Sequence, residues 1–207
     1  MESFAVTNLD ISDVTEDMLK EKAPRINQPG KYTMRITGHK MGVGEKVDGA
    51  GKKWGWVSVN TEDVESGRSF NIFLSVPIET LKYTSAAGKT SLIKTQIFKN
   101  FLKAIGVADL SIGSLMSHVN NLGSLLDGAP AFSATLNYRG DHVSYIGKTE
   151  EGEKSYGITL KDGSALLDAD GAEVVTFSSY NAAVDYYKQI NKNKEPSSLE
   201  ATSFSAV

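Results

Sequence analysis

The stretch KKWGWVSVN, Lys52 to Asn60, holds the chain's two tryptophans two positions apart. On a β-strand that spacing puts Trp54 and Trp56 on one face with Ser58 and Asn60, and Val57 and Val59 on the other. A half-buried strand ordinarily hides its largest apolar side chains, so two indoles on the polar face need a partner. Planar rings that stack on indoles are one such partner. Nucleobases stack on exposed aromatics for about 1–3 kcal/mol each, while nearby cations neutralise the phosphates. Between Lys31 and Lys53 the bases Lys31, Arg35, Lys40, Lys46, Lys52 and Lys53 outnumber Glu45 and Asp48. The competing reading is packing: aromatic pairs on strands are often covered by the protein's own segments or by a partner protein. The sequence leaves both open.

The elements that would position these residues follow from periodicity. KYTMRITGHKMGV alternates with a period of two, placing Tyr32, Met34 and Ile36 opposite Thr33, Arg35 and Thr37. GVGEKVDGAGKKWG reads as a glycine-rich loop leading into the tryptophan strand, mobile when free and able to close over it. RSFNIFLSVPIE reads as a third strand with Phe70, Ile72, Leu74 and Val76 inside and Asn71, Phe73 and Ser75 outside. Together the outer face then carries Thr33, Arg35, Trp54, Trp56, Ser58, Asn71, Phe73 and Ser75. Next, SLIKTQIFKNFLKAIG changes to helical period, with Ile93, Ile97, Phe98, Phe101, Leu102 and Ile105 on one arc. Lys94 falls within that arc, where its stem would snorkel. SLMSHVNNLGSLL predicts a shorter helix, AFSATLNYRGDHVSYIGK a hairpin turning at Gly140-Asp141, and SSYNAAVDYYKQINK a last helix.

Three strands, a helix and two strands is the order of an OB-fold. The expected class is therefore mainly β with helices (α+β): an OB-fold-like five-stranded antiparallel barrel, with a helix between strands 3 and 4 and a C-terminal helical extension. The expected organisation is an acidic N-terminal segment over 1–27, the nucleic-acid-binding core over 28–148, an extension over 149–191 whose helix packs on the core, and a flexible tail over 192–207.

Residues from about Gln28 to Gly147 resemble the small OB-fold single-stranded DNA-binding proteins encoded by bacteriophages. The resemblance is carried by PGKYTMRITG, the glycine loop before KKWGWVSV, RSFNIFLSV and the basic helix ending in FKNFLKAIG. It implies sequence-independent binding of single-stranded DNA in phage replication, recombination or repair, in the cytoplasm of an infected host, with replication or recombination proteins as partners. Such proteins often end in an acidic tail, and LEATSFSAV here is barely acidic.

Composition sets the wider bounds. A hydrophobic content of 40% and charged content of 23% suit a soluble globular chain with a sizeable core. No apolar run approaches the roughly 18 residues of a membrane span, and the start lacks the pattern of a signal peptide. Without cysteine there is no disulfide and no thiolate chemistry. The net charge is −3, yet the stretch from Thr80 to Ala108 carries Lys82, Lys89, Lys94, Lys99 and Lys103 and no acid. A local basic face on a mildly acidic protein suits an anionic ligand.

No catalytic constellation, metal or cofactor is expected. GKT at Gly88–Thr90 lacks the glycine that a P-loop needs five positions earlier, where Tyr83 stands. LDADGAE is a fragment of a calcium loop without its distal ligands. His39, His118 and His142 show no metal-ligand spacing. The expected binding residues are Trp54, Trp56 and Phe73 for stacking, Asn71 beside them, and Lys31, Arg35, Lys40, Lys52, Lys53, Lys82 and Lys89 for phosphates. The alternative is a protein-interaction or virion module docking a partner on the aromatic face. A third reading, an annealing protein of recombination, requires an oligomer.

Overall fold

The computed structural model describes residues 24–207. The helix expected from SDVTEDMLKEKA and most of the acidic segment lie outside the described residues. Strand β1 (Gly30–Val47) has 18 residues and serves two neighbours. Its first part, Gly30 to Met34, pairs with β6 (Phe132–Tyr138). The rest, from Met34 on, pairs with β2 (Lys53–Asp63). β3 (Ser69–Pro77) follows on β2, and β10 (Leu199–Ala206) lies beyond β6. All four pairings are antiparallel, giving a five-stranded sheet of order β10-β6-β1-β2-β3.

The core is where alternation puts it. Met34, Val57, Val59, Ile72, Leu74 and Val76 are buried, with Tyr32, Ile36 and Phe70 packed partly against them. A short hairpin of β4 (Tyr83–Thr84) and β5 (Thr90–Ser91) leads into helix α1 (Ile93–Ala104). Phe98, Phe101 and Leu102 of α1 are fully buried, and the helix packs against β3 and β10. Ile93, expected on that arc, is exposed in the first turn, where Ser91 Oγ accepts a 3.1 Å hydrogen bond from its N–H. The second helical stretch forms two helices, α2 (Ile112–Asn120) and α3 (Leu122–Asp127), which bury Leu115, Leu122 and Leu126.

Two expectations are corrected. The sheet is open: among the described residues no ladder joins β3 to β10, so the expected five-stranded antiparallel arrangement is present but does not close into a barrel. Nor do the strands flanking Gly140-Asp141 form a hairpin. After β6 the chain enters a separate three-stranded sheet of β7 (His142–Lys148), β8 (Lys154–Thr159) and β9 (Thr176–Phe177). That sheet and helix α4 (Tyr180–Ile190) share a small core of Val143, Ile158, Ala183 and Tyr187, so the helix expected to pack on the main core packs on this sheet instead. Tyr187 donates a 3.0 Å hydrogen bond to Asp141 Oδ2, tying α4 to the turn that leaves β6.

The tail expected to be loose is strand β10. Phe204 sits 5.3 Å from the Phe101 ring, edge to face, and 6.2 Å from Phe132. Short, small and polar residues such as Ser203 and Ser205 hide this strand from a periodicity reading, because only Ala201, Phe204 and Leu199 pack on the core. Phe204→Ala should cost about 3 kcal/mol, the scale of a large-to-small core change. Removing residues 198–207 should lower the thermal midpoint strongly, measured by circular dichroism. A dangling tail would leave it unchanged.

Candidate nucleic-acid interface

The outer face of β1, β2 and β3 is built by register. Arg35 lies opposite Glu62, Lys40 opposite Ser58 and Gly42 opposite Trp56. Across β2, Trp56 pairs with Ser75, Ser58 with Phe73 and Asn60 with Asn71. A bulge makes this face continuous. Between the pairs Ile36–Thr61 and Gly38–Asn60, β1 carries one extra residue, Thr37. Before the bulge the even positions Met34 and Ile36 face the core; after it the even positions Lys40 and Gly42 face outward. Without it Lys40 would point into the core side.

At the centre of the face Trp56 and Phe73 lie nearly parallel, 14° apart with centroids 6.1 Å from each other. Phe73 is 67% exposed on the outermost strand. Gly42 lets the indole rest on β1: a Cβ there would stand 3.0 Å from Trp56 Cζ2. Beside the rings runs a polar row. Ser58 Oγ donates to Asn71 Oδ1 at 2.9 Å, and Asn71 Nδ2 donates to Asn60 Oδ1 at 3.2 Å. The face therefore offers flat apolar surface next to amide and hydroxyl groups.

Trp54, expected to stack as well, is a correction: only 7% of it is exposed. The glycine-rich stretch that precedes it is no free loop. β1 continues to Val47, and residues 48–52 form a tight turn held by Asp48. Oδ1 of Asp48 accepts from the Ala50 and Lys52 N–H groups at 2.9 Å, and Oδ2 from the Thr84 N–H at 3.0 Å. Gly49 makes the close approach possible, since a Cβ would lie 2.1 Å from the Ser85 carbonyl oxygen. The β4–β5 hairpin is thus pinned over the start of β2. Tyr83 meets the Trp54 ring edge-on at 5.8 Å. Lys94 Nζ lies 3.4 Å from the Tyr83 centroid and 5.9 Å from that of Trp54, a cation–π arrangement. The buried indole N–H makes no regular hydrogen bond, and the Asp48 carboxylate is its electrostatic counterpart.

The predicted cations divide into groups. Lys52 and Lys53 lie at the Asp48 turn, and Lys82 and Lys89 on the adjoining hairpin segment, all exposed. Lys40 stands among the exposed residues of the aromatic face. Arg35 is paired with Glu62 at 3.3 Å. Lys31 lies at the far end of β1, in a depression shared with Asp63, Glu65 and Arg68, and does not join the aromatic site. Two basic residues that periodicity did not single out as ligands do join it. Between the edge of β3 and β10 runs a groove of about 380 Å³ that Asn71, Phe73, Lys94, Arg139 and Glu200 help to line. Arg139 Nε lies 3.1 Å from Glu200 Oε2. Burial lowers the Lys94 pKa, with the Asp48 charge opposing that shift. Lys94's place in the apolar arc was the available signal; Arg139 had none, because it needs β10 beside it. The histidines stay apart: His39 faces Asp127 at 3.5 Å, His118 meets the Asp109 carbonyl, and His142 stacks on Tyr138.

Comparison of the chain with protein-family models, with curated protein sequences and with solved structures gave no match in any of the three.

Trp54 and Phe73 should behave oppositely. Trp54→Ala should cost about 3–5 kcal/mol in chemical denaturation, while Phe73→Ala should change stability by no more than about 0.5 kcal/mol. Acid should act at Trp54. Backbone donors, first that of Lys52, hold the Asp48 carboxylate below its ordinary value of 3.8. Its stabilising contribution is therefore present above 3.8 and is lost as pH falls toward the depressed folded value. In a Trp56→Phe background, Trp54 emission should shift red as pH falls below about 4. The added Asp48→Asn change should remove that acid dependence.

Proposed function

We propose that the chain binds single-stranded DNA without sequence preference, by stacking bases on Trp56 and Phe73 and neutralising phosphates with Lys40, Lys94, Arg139 and the lysines of the β1–β2 turn and β4–β5 hairpin. The observation that carries this reading is the near-parallel Trp56–Phe73 pair, supported on Gly42 and flanked by Ser58, Asn60 and Asn71. Every base has a π-face, so such a platform tolerates any sequence.

The strand order supports an OB-like reading of the fold. β1 bonds to both β2 and β6, a helix stands between β3 and β6, and β10 takes the place of the fifth strand. OB-folds are partly open Greek-key barrels that bind on this face. Here the seam between β3 and β10 is the opening, and α1 forms its floor. In this reading the protein is non-enzymatic and acts in replication, recombination or repair, in a bacteriophage setting and the cytoplasm of its host. Replication or recombination proteins are its partners. No described helix is long and apolar enough to cross a membrane.

One feature favours a second reading, docking of a protein partner. Pro24 and Ile26 bond the edge of β3 at Ser69, and beyond that residue no ladder among the described residues pairs with the edge, which could accept an added strand.

Titration with oligo-dT, followed by tryptophan emission, separates the two. Binding should quench only part of the signal, because Trp54 is buried and Trp56 is not. Trp56→Phe should abolish the quench, and Phe73→Ala should weaken binding by roughly tenfold, a single stacked base. Affinity should fall steeply with salt, by about 0.7 in log K per log unit of salt for each phosphate neutralised. A folded protein whose emission is untouched by oligo-dT at low salt would sink the reading and favour the protein partner.

A further inference from the structure

The second, smaller unit of the chain carries an aromatic cleft that the platform does not use. Tyr138, His142, Tyr145, Tyr156 and Tyr180 gather there from β6, β7, β8 and the start of α4 and, with Asn27 and Gln28, help to line a cavity of about 490 Å³. That is the scale of a small-ligand site. The Tyr138 and His142 rings are stacked 3.7 Å apart at 6°. Tyr156 meets Tyr145 edge-on at 5.9 Å and Tyr180 at 6.2 Å. Tyr145 and Tyr180 are about half exposed, so both offer ring surface to a ligand. The core of this unit, built on Ile158 and Tyr187, does not require them.

The cleft lies next to the grooves that lead from the platform, through residues adjacent in the chain or across a ladder. The groove beside Phe73 shares Asn71 and Leu199 with a second depression lined by Arg25, Thr37 and Asn60. Leu199 is the β-partner of Tyr138, and Ile26 of that depression precedes Asn27 of the cleft. Lys94, Arg139 and Arg25 stand along the way, and Glu200 holds Arg139 where a phosphate would compete for it.

Resting on the proposed function, we infer that a single strand seated on Trp56 and Phe73 continues through the β3–β10 groove into the tyrosine cleft, where a further base stacks on Tyr145 and Tyr180. The smaller unit thereby lengthens the binding site. A neutral tyrosine cleft would also suit other planar or sugar ligands; Arg139 and Leu199 of the basic groove, the chain neighbour and ladder partner of Tyr138, favour the nucleic acid strand.

The test compares oligo-dT of about 4 and about 15 nucleotides, the range of site sizes for one such domain. With the full chain, the long oligomer should bind more tightly than the short one. Tyr145→Ala with Tyr180→Ala should weaken the long oligomer by roughly 10- to 100-fold and leave the short one, read by Trp56 quenching, unchanged. Glu200→Gln should tighten binding of the long oligomer. Should the double variant fail to fold, tyrosine nitration of the wild-type chain gives the same answer: Tyr145 and Tyr180 should be protected by the long oligomer and not by the short one. Equal binding of both lengths, or nitration unaffected by the long oligomer, overturns the extended path while leaving the platform intact. Failure of both oligomers to bind removes the platform and this path with it.

Discussion

The single extra residue at Thr37 sets the character of the face. β1 must bury Met34 and Ile36 at one end and present Lys40 and Gly42 at the other, although all four positions are even. A regular strand cannot do both, because its side chains alternate strictly. The bulge changes the parity at the cost of one ladder position. Thr37 Oγ1 meets the Asn60 carbonyl at 3.3 Å across the irregularity. Gly42 then lies against Trp56, where an added Cβ would crowd the indole at 3.0 Å from Cζ2 and force it to shift. The ring is held flat, and Phe73 from the next strand completes the pair.

The other tryptophan is removed from the same face by an anion. Asp48 collects three backbone N–H groups, two within its own turn and one from β4. That fastens the hairpin over the first residues of β2. Trp54 obeys the outward parity of Trp56 and is buried all the same, because the Tyr83 ring and the Lys94 ammonium stand over it. One strand face is thus divided between stabilising the fold and presenting rings to solvent.

Leaving β3 and β10 unjoined has a similar double effect. α1 seals the core beneath the seam through Phe98, Phe101 and Leu102, so the gap exposes little apolar interior. Above it the opening becomes a groove with Phe73 on one bank and Arg139 and Glu200 on the other. The chain reaches β10 only after building the smaller sheet and α4, and Leu199 of β10 then pairs with Tyr138 of the tyrosine cleft.

Local pattern alone determined the alternation that places Met34, Val57, Val59, Ile72, Leu74 and Val76 inside, the amphipathic α1, and the outward parity of Trp56, Asn71 and Phe73. These depend on neighbours one to four residues away, which is the range that periodicity reports. The fate of Trp54, the pairing of Arg139 with Glu200, the removal of Lys31 to the far end of β1 and the role of 199–206 as a core strand depend on contacts distant in sequence. Ser203 and Ser205 carry no strand signal, and β10 exists because β6 offers it a ladder and Phe101 and Phe132 offer Phe204 a place. Tertiary structure alone decided these, since a side chain's exposure is set by whatever segment folds over it.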